Sequence, residues 1–179
     1  MAVNLAPPGE LLAVSGVKLA TGAAAIKSPG RDDVTLLLFE PGTSVAGVFT
    51  RSAFRAAPVL VAEERIRAGE IRALLINSGN ANACTGEKGL QDAKYCADLV
   101  AEALDIAPEF VAVASTGVIG EPLPVARISA ALPSLMQALS PHGFGDLAEA
   151  ISVAPSTASE AVVAACTAVG VIIQDNSSR

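Results

Sequence analysis

Tryptophan is absent from this 179-residue chain and aromatic residues make up only 3% of it, so a core has to be packed from the aliphatic side chains that bring the hydrophobic fraction to 51%. Histidine occurs once, His142, in the loop-like stretch Ser140-Pro141-His142-Gly143 with no nucleophile or Asp beside it, and is expected at the surface. Cysteine is scarce too. Cys84, Cys96 and Cys166 are odd in number and irregular in spacing, which excludes a disulfide framework and a cysteine zinc site and suits a reducing interior. Positive charge is short: 12 Lys and Arg stand against 18 Asp and Glu, a net charge of -6. Affinity for nucleic acid comes largely from cations displacing counterions, so nucleic acid is excluded as a partner.

Long apolar runs are also missing. Residues 1–10 contain no basic region followed by an apolar stretch, so they do not read as a secretory signal. The late apolar stretch 161–173 includes Thr167 and Gly170 and is too short to span a bilayer. A cytoplasmic protein with no membrane partner, no bound cofactor and no metal is expected, and 179 residues suffice for one ordinary domain.

What is present is an alternation of strand and helix signals. Val34 to Phe39 is a Val- and Leu-rich run closed by Glu40-Pro41-Gly42; it reads as a strand. Val45 to Thr50, Val59 to Ala62, Arg72 to Asn77 and Phe110 to Ser115 read as further strands. Leu90, Ala93, Ala97, Val100 and Leu104 recur every three or four residues, predicting a helix over Glu87 to Leu104 with Thr85 as its cap. A second helix is expected over Val125 to Leu139, kinked at Pro133. The fold class is therefore α/β, a layered sheet-and-helix domain.

Two polar segments interrupt this pattern. Asn77-Ser78-Gly79-Asn80-Ala81-Asn82-Ala83-Cys84-Thr85-Gly86 gathers short hydrogen-bonding side chains between a strand and a helix, a composition that turn formation and helix capping already explain. It is no phosphate loop, because six residues lie between Gly79 and Gly86 and Glu87 stands where a Walker motif requires Lys. Ser115-Thr116-Gly117 ends a predicted strand, where a hydroxyl and backbone N–H groups can converge on a developing negative oxygen. An ordinary strand-end turn has the same composition. Cys84 has no evident base to activate it and reads as a small buried or capping residue. Asp32, Asp33, Glu63, Glu64, Glu87 and Glu121 show no pairing specific to acid–base chemistry and read as mostly solvated.

Three blocks taken together resemble the ornithine acetyltransferase (glutamate N-acetyltransferase) family of arginine biosynthesis: Ala46-Gly47-Val48-Phe49-Thr50 with Ala56-Ala57-Pro58-Val59, the Asn77 to Gly86 segment, and Ala114-Ser115-Thr116-Gly117-Val118-Ile119-Gly120-Glu121-Pro122-Leu123-Pro124. Gly22-Ala23-Ala24-Ala25-Ile26-Lys27 is similar to the family's early Gly-Ile-Lys segment. The resemblance implies the N-terminal, α-chain part of that fold. It further implies a multifunctional precursor that cuts itself before a threonine, which becomes the nucleophile of the β chain. N-acetylornithine donates acetyl and glutamate accepts it, with acetyl-CoA a co-substrate in some members. Thr116 and Gly117 match the family's oxyanion-hole pair.

The resemblance runs from about residue 16 to residue 150. Beyond it, Ser152-Val153-Ala154-Pro155-Ser156-Thr157 matches none of the family's substrate-binding or cleavage segments, and Thr157 and Thr167 are not their equivalents. Residues 1–151 are accordingly expected to form an α-chain-like domain and residues 152–179 a divergent tail, leaving the substrate-binding residues unassigned. The expected activity is that of an acyltransferase part, inactive alone, that pairs with a β chain or self-associates. The competing expectation is an inactive, truncated or diverged paralogue acting as an assembly or binding module.

Overall fold

The computed structural model describes residues 11–151 and the backbone of residues 171–174. Four strands form one sheet: β1 (Val17–Gly22), β2 (Val34–Phe39), β4 (Ala73–Asn80) and β5 (Val111–Val118), in the spatial order β1-β2-β4-β5. β1, β2 and β4 are successively antiparallel, whereas β4 and β5 are parallel and joined by helix α2 (Gly86–Leu104). A parallel pair needs such a crossover. A second, two-stranded sheet pairs β3 (Ser44–Gly47) with β6 (Val171–Gln174). Helices α1 (Ala57–Ile66), α3 (Val125–Ala138) and α4 (Phe144–Ile151) and a short 3₁₀ helix, Pro108–Phe110, complete the described elements.

The expected α/β class is what the structure has. Alternation along the strands divides the core between the two faces of the sheet. Val34, Leu36, Leu75, Val111 and Val113 face one side and pack with Ala97 and Val100 of α2 and Ile128, Leu132 and Leu135 of α3. Leu19, Leu37, Phe39, Leu74, Ile76 and Ala112 face the other, where Leu147 and Ile151 of α4 cover them.

Some local expectations are corrected. Val59 to Ala62 is not a strand; it lies inside α1, whose buried residues Ala57, Pro58, Val61, Ala62 and Ile66 follow a helical period that a four-residue window hides. Pro58 sits in the first turn, where its missing N–H costs no bond. The Val45 to Thr50 run is a shorter strand, β3. β1 and α4 emerge from segments with no helix or strand expectation. Thr85 stands at the N-cap of α2 without capping it through its side chain, since its hydroxyl donates to Asn82 Oδ1 instead. Pro133 lies within α3 as expected. Cys166, Thr157, Thr167 and most of the apolar stretch 161–173 fall outside the described residues.

Candidate functional site

The Ser115-Thr116-Gly117 block and the first four residues of the Asn77 to Gly86 block are the ends of neighbouring strands, and residues 81–85 form the loop that leads into α2. β4 continues through Asn80 and β5 through Val118, and the parallel register sets Asn77 beside Ser115, Ser78 beside Thr116, Gly79 beside Gly117 and Asn80 beside Val118. Segments 38 residues apart in sequence thus meet side by side at the carboxyl ends of two parallel strands, the place where open α/β sheets gather ligands.

Hydrogen bonds hold this seam in place. On the face under α2, the Ser115 hydroxyl donates to Asn77 Oδ1 at 2.7 Å, and Asn77 Nδ2 donates to the Asn80 carbonyl at 2.9 Å. Asn80 Nδ2 reaches the carbonyls of Glu121 and Pro122 at 3.2 and 3.1 Å, while its Oδ1 accepts the Asn82 N–H at 2.8 Å. Asn82 Nδ2 donates to the Gly89 carbonyl at 2.8 Å. Asn77, Asn80 and Asn82 are all buried, and each joins a different segment to β4: β5, the loop before α3, and the first turn of α2. An amide carries donors and an acceptor together, which is what such three-way bridging requires.

On the opposite face, Ser78 donates its hydroxyl to the Ala150 carbonyl of α4 at 2.7 Å, and its N–H goes to the Asp33 carbonyl at 2.8 Å. Thr116 shares that face by alternation with Ala112 and Ala114 and is half-buried. Gly117 has a φ of 137°, and an added Cβ would stand 2.3 Å from the Gly79 carbonyl carbon. Only glycine allows this approach. Two clefts among the described residues, of about 400 and 440 Å³, are lined by no residue of either polar block, whereas one of about 310 Å³ takes Cys84, Thr85 and Gly86 from the first. A smaller cavity of about 50 Å³ opens beside Gly79 and Ser78.

Other candidates separate clearly. Cys84 is exposed rather than buried and occupies the left-handed region with φ 58°. Cys96 is the buried thiol, and burial, helped by the Asp92 charge, pushes its pKa up to about 12, so it is inert at neutral pH. His142 is exposed. Desolvation holds the Arg65 guanidinium below its ordinary range, with Asp98, Glu64 and Glu109 opposing the shift; it donates to the carbonyls of Pro108 and Val111 and so braces the start of β5.

Asp33 corrects the expectation of solvated carboxylates. It is 3% exposed and accepts the N–H groups of Ala24 and Ile26 at 2.7 and 2.6 Å. Nothing in Arg31-Asp32-Asp33 distinguishes it from its exposed neighbour Asp32, because the distinction arises from the fold of the preceding loop. Asp92 was equally silent in sequence apart from its i, i+4 relation to Lys88, with which it forms an ion pair; its Oδ2 is buried without a partner. Among the described residues no group of three His, Cys, Asp or Glu could hold a metal ion, and no helix is long and apolar enough to cross a membrane.

Comparison with known proteins shows the family and the fold. The ArgJ family matches residues 18–174, a span that passes beyond Ile151 and includes β6. The arginine biosynthesis bifunctional protein ArgJ of Symbiobacterium thermophilum is 49% identical over 145 residues, covering 80% of this chain and 36% of that protein. The one of Gluconobacter oxydans is 48% identical, covering 81% and 34%. The chain thus spans about a third of the length of these curated relatives. Among solved structures, the ornithine acetyltransferase of Mycobacterium tuberculosis complexed with ornithine superposes with a TM-score of 0.76 at 36% identity, covering 79% of this chain and 78% of that one. The Bacillus halodurans protein argJ gives 0.75 at 34% identity, covering 83% and 78%.

Proposed function

From the premise that this chain belongs to the ArgJ family, we propose that it is the α-chain-like part of an acetyltransferase that moves acetyl from N-acetylornithine to glutamate in the arginine pathway. Its contribution is the oxyanion hole, made by the Thr116 hydroxyl and the Gly117 N–H. The nucleophilic threonine comes from a β segment released from the same precursor by self-cleavage. Residues 1–151 make up the acetyltransferase-like unit, to which the family match as far as residue 174 and the pairing of β6 with β3 join residues 171–174.

The observation that carries this reading is the register that seats Thr116 and Gly117 beside Ser78 and Gly79. β5 is the outer strand of its sheet among the described residues, and Ala81 N–H donates to the Val118 carbonyl at 2.8 Å across the pair. Alternation along the strand then turns the Gly117 N–H away from β4, available to a ligand. Attack by a threonine hydroxyl on the acetyl carbonyl forms the new C–O bond and moves the π-electron pair onto oxygen. Thr116 and Gly117 donate to that oxyanion as it forms. Collapse expels the ornithine α-amine, which takes up the proton given up by the threonine hydroxyl, and the acetyl-threonine is then cleaved by the glutamate amine through a second oxyanion at the same place, the amine's proton returning to the threonine oxygen. Donors fixed before the charge develops need no reorganisation during reaction, which is why such holes are effective. The setting is cytoplasmic and no bound cofactor is needed, with acetyl-CoA an optional acetyl donor.

The test is acetyl transfer from N-acetylornithine to glutamate, assayed with this chain alone and co-expressed with the C-terminal portion of a relative. Activity only in the second case is expected; turnover by the chain alone would sink the division of labour. The reading as an inactive paralogue, acting as an assembly or binding module, predicts a stable complex of the two parts with no turnover.

A further inference from the structure

The end of the sheet opposite the Thr116–Gly117 seam carries a cleft of about 440 Å³, which opens between the chain entering β1, the end of β2 and the residue before β4. Arg72, which lines it, stands seven residues before Gly79. A strand rises about 3.3 Å per residue, so about 23 Å separates this cleft from the seam. Its volume falls in the range of about 300–1,000 Å³ that small-molecule sites occupy. Val14, Leu38 and Pro141 supply an apolar wall, in which Val14 is 42% exposed, a large apolar side chain left open to solvent. Lys18, Glu40 and Arg72 supply charge.

These charges do not neutralise one another. The ion pairs among the described residues are Arg55–Glu63, Arg67–Glu63 and Lys88–Asp92, so Glu40 and the two cations that share its cleft stay unpaired. Glu40 and Arg72 are nonetheless held in place. Arg72 Nε donates to the Phe39 carbonyl at 3.0 Å, while the Phe39 N–H donates to the Arg72 carbonyl at 2.9 Å. The first bond uses one corner of the guanidinium and leaves its Nη1–Nη2 edge, a two-pronged donor matched to a carboxylate, without a partner among the described residues. The Glu40 N–H donates to the Gly16 carbonyl at 2.9 Å, and a Cβ at Gly16 would stand 3.5 Å from Glu40 Oε2, so the carboxylate rests over a position where glycine leaves it room.

We propose that this cleft is a second ligand site, which takes a free α-amino acid with an apolar side chain. Arg72 receives the carboxylate, Glu40 receives the ammonium, and Val14, Leu38 and Pro141 receive the side chain. An α-amino acid joins its two charged groups through a single carbon and so presents both to one cleft. A simple anion or a simple amine leaves one of the two held charges unanswered, and an unanswered charge loses the hydrogen bonds that offset its desolvation. Lys18, exposed at the same cleft, adds to the attraction for the carboxylate. The site stands independently of the oxyanion reading of Thr116 and Gly117, because it shares no residue with that seam.

The full chain is titrated with leucine while the backbone amide signals of Gly16, Glu40 and Arg72 are followed by NMR. Isocaproate, which is leucine without its amino group, and isoamylamine, which is leucine without its carboxylate, are titrated in parallel. Saturable shifts with leucine are expected at a Kd of about 1 mM or below, with each control weaker by at least about tenfold. Glu40→Gln and Arg72→Met should each raise the Kd for leucine at least about tenfold. Glu40 is exposed, so Glu40→Gln tests the site even where loss of the Arg72 brace disturbs the fold. Signals that do not saturate by about 10 mM leucine, equal binding of isocaproate, or an unchanged Kd in Glu40→Gln each overturn the proposal. Shifts confined to Gly79 and Gly117 place the amino acid at the seam instead and overturn it as well.

Discussion

Gly79 and Gly117 lie opposite each other in the parallel pair β4–β5, so close that a Cβ on Gly117 would come within 2.3 Å of one backbone atom of Gly79 and 2.5 Å of the Asn80 nitrogen. The obstruction is backbone, which cannot rotate aside. Gly117→Ala therefore adds overpacking to positive-φ strain and should cost about 2–5 kcal/mol. Gly30 also has a positive φ, 89°, but an added Cβ there meets nothing within 4 Å. Gly30→Ala should cost only the strain, about 1–2 kcal/mol. Urea unfolding midpoints at unchanged m compare the two; equal midpoints would contradict the close approach.

Asn80 acts as a donor as well as an acceptor. Asn80→Ala strands the carbonyls of Glu121 and Pro122 together with the Asn82 N–H and should destabilise the chain by about 2–3 kcal/mol. Asn80→Asp keeps the acceptor but sets a carboxylate against two carbonyls. It should be no more stable than the alanine variant by urea unfolding, and wild-type stability of Asn80→Asp would refute the donor role.

The thiols should react in order of exposure. Iodoacetamide at pH 8 is expected to modify Cys84 in the native chain and Cys96 only after unfolding, as peptide mass spectrometry can read. Cys96 also contributes to alkaline sensitivity. Its folded pKa, about 12, lies above the ordinary 9.0, so the unfolded thiol ionises first as pH rises. The stability it confers is complete below about pH 9 and is lost as pH climbs toward 12. Cys96→Ala should lose less stability than the parent chain between those pH values, and parallel pH profiles would count against the buried thiol.

In a catalytically competent complex, Thr116→Ala removes one of two oxyanion donors. A fall in kcat of about 10²–10³ is expected, with KM little changed. Thr116→Ser, which keeps the hydroxyl, should retain most of the rate. Steady-state kinetics distinguishes these outcomes, and equal loss in both variants would point to packing rather than hydrogen bonding.

Much of the scaffold was legible along the chain. The apolar run Val34 to Phe39 is β2, and the three- and four-residue spacing from Leu90 to Leu104 lies along α2, because each signal is complete within its own segment. Val59 to Ala62 misled because four apolar residues satisfy either period, and the helix became evident only with Ala57 and Ile66 included. The composition of the strand-end blocks fits turns as well as a site, and only pairing extends β4 to Asn80 and β5 to Val118. Cys84 and Asp33 exchanged their expected environments, one exposed and the other buried, since exposure depends on what packs against a loop.

The sequence by itself determined the fold class, the family resemblance and Thr116 and Gly117 as the residues to examine, because composition, periodicity and contiguous motifs are local properties. The tertiary structure alone decided that Ser78 and Gly79 stand beside Thr116 and Gly117 and that Asp33 clamps the loop carrying Lys27. The physical reason is that strand register and the burial of a charge are set by contacts between segments tens of residues apart, and no local pattern records which partner each segment will meet.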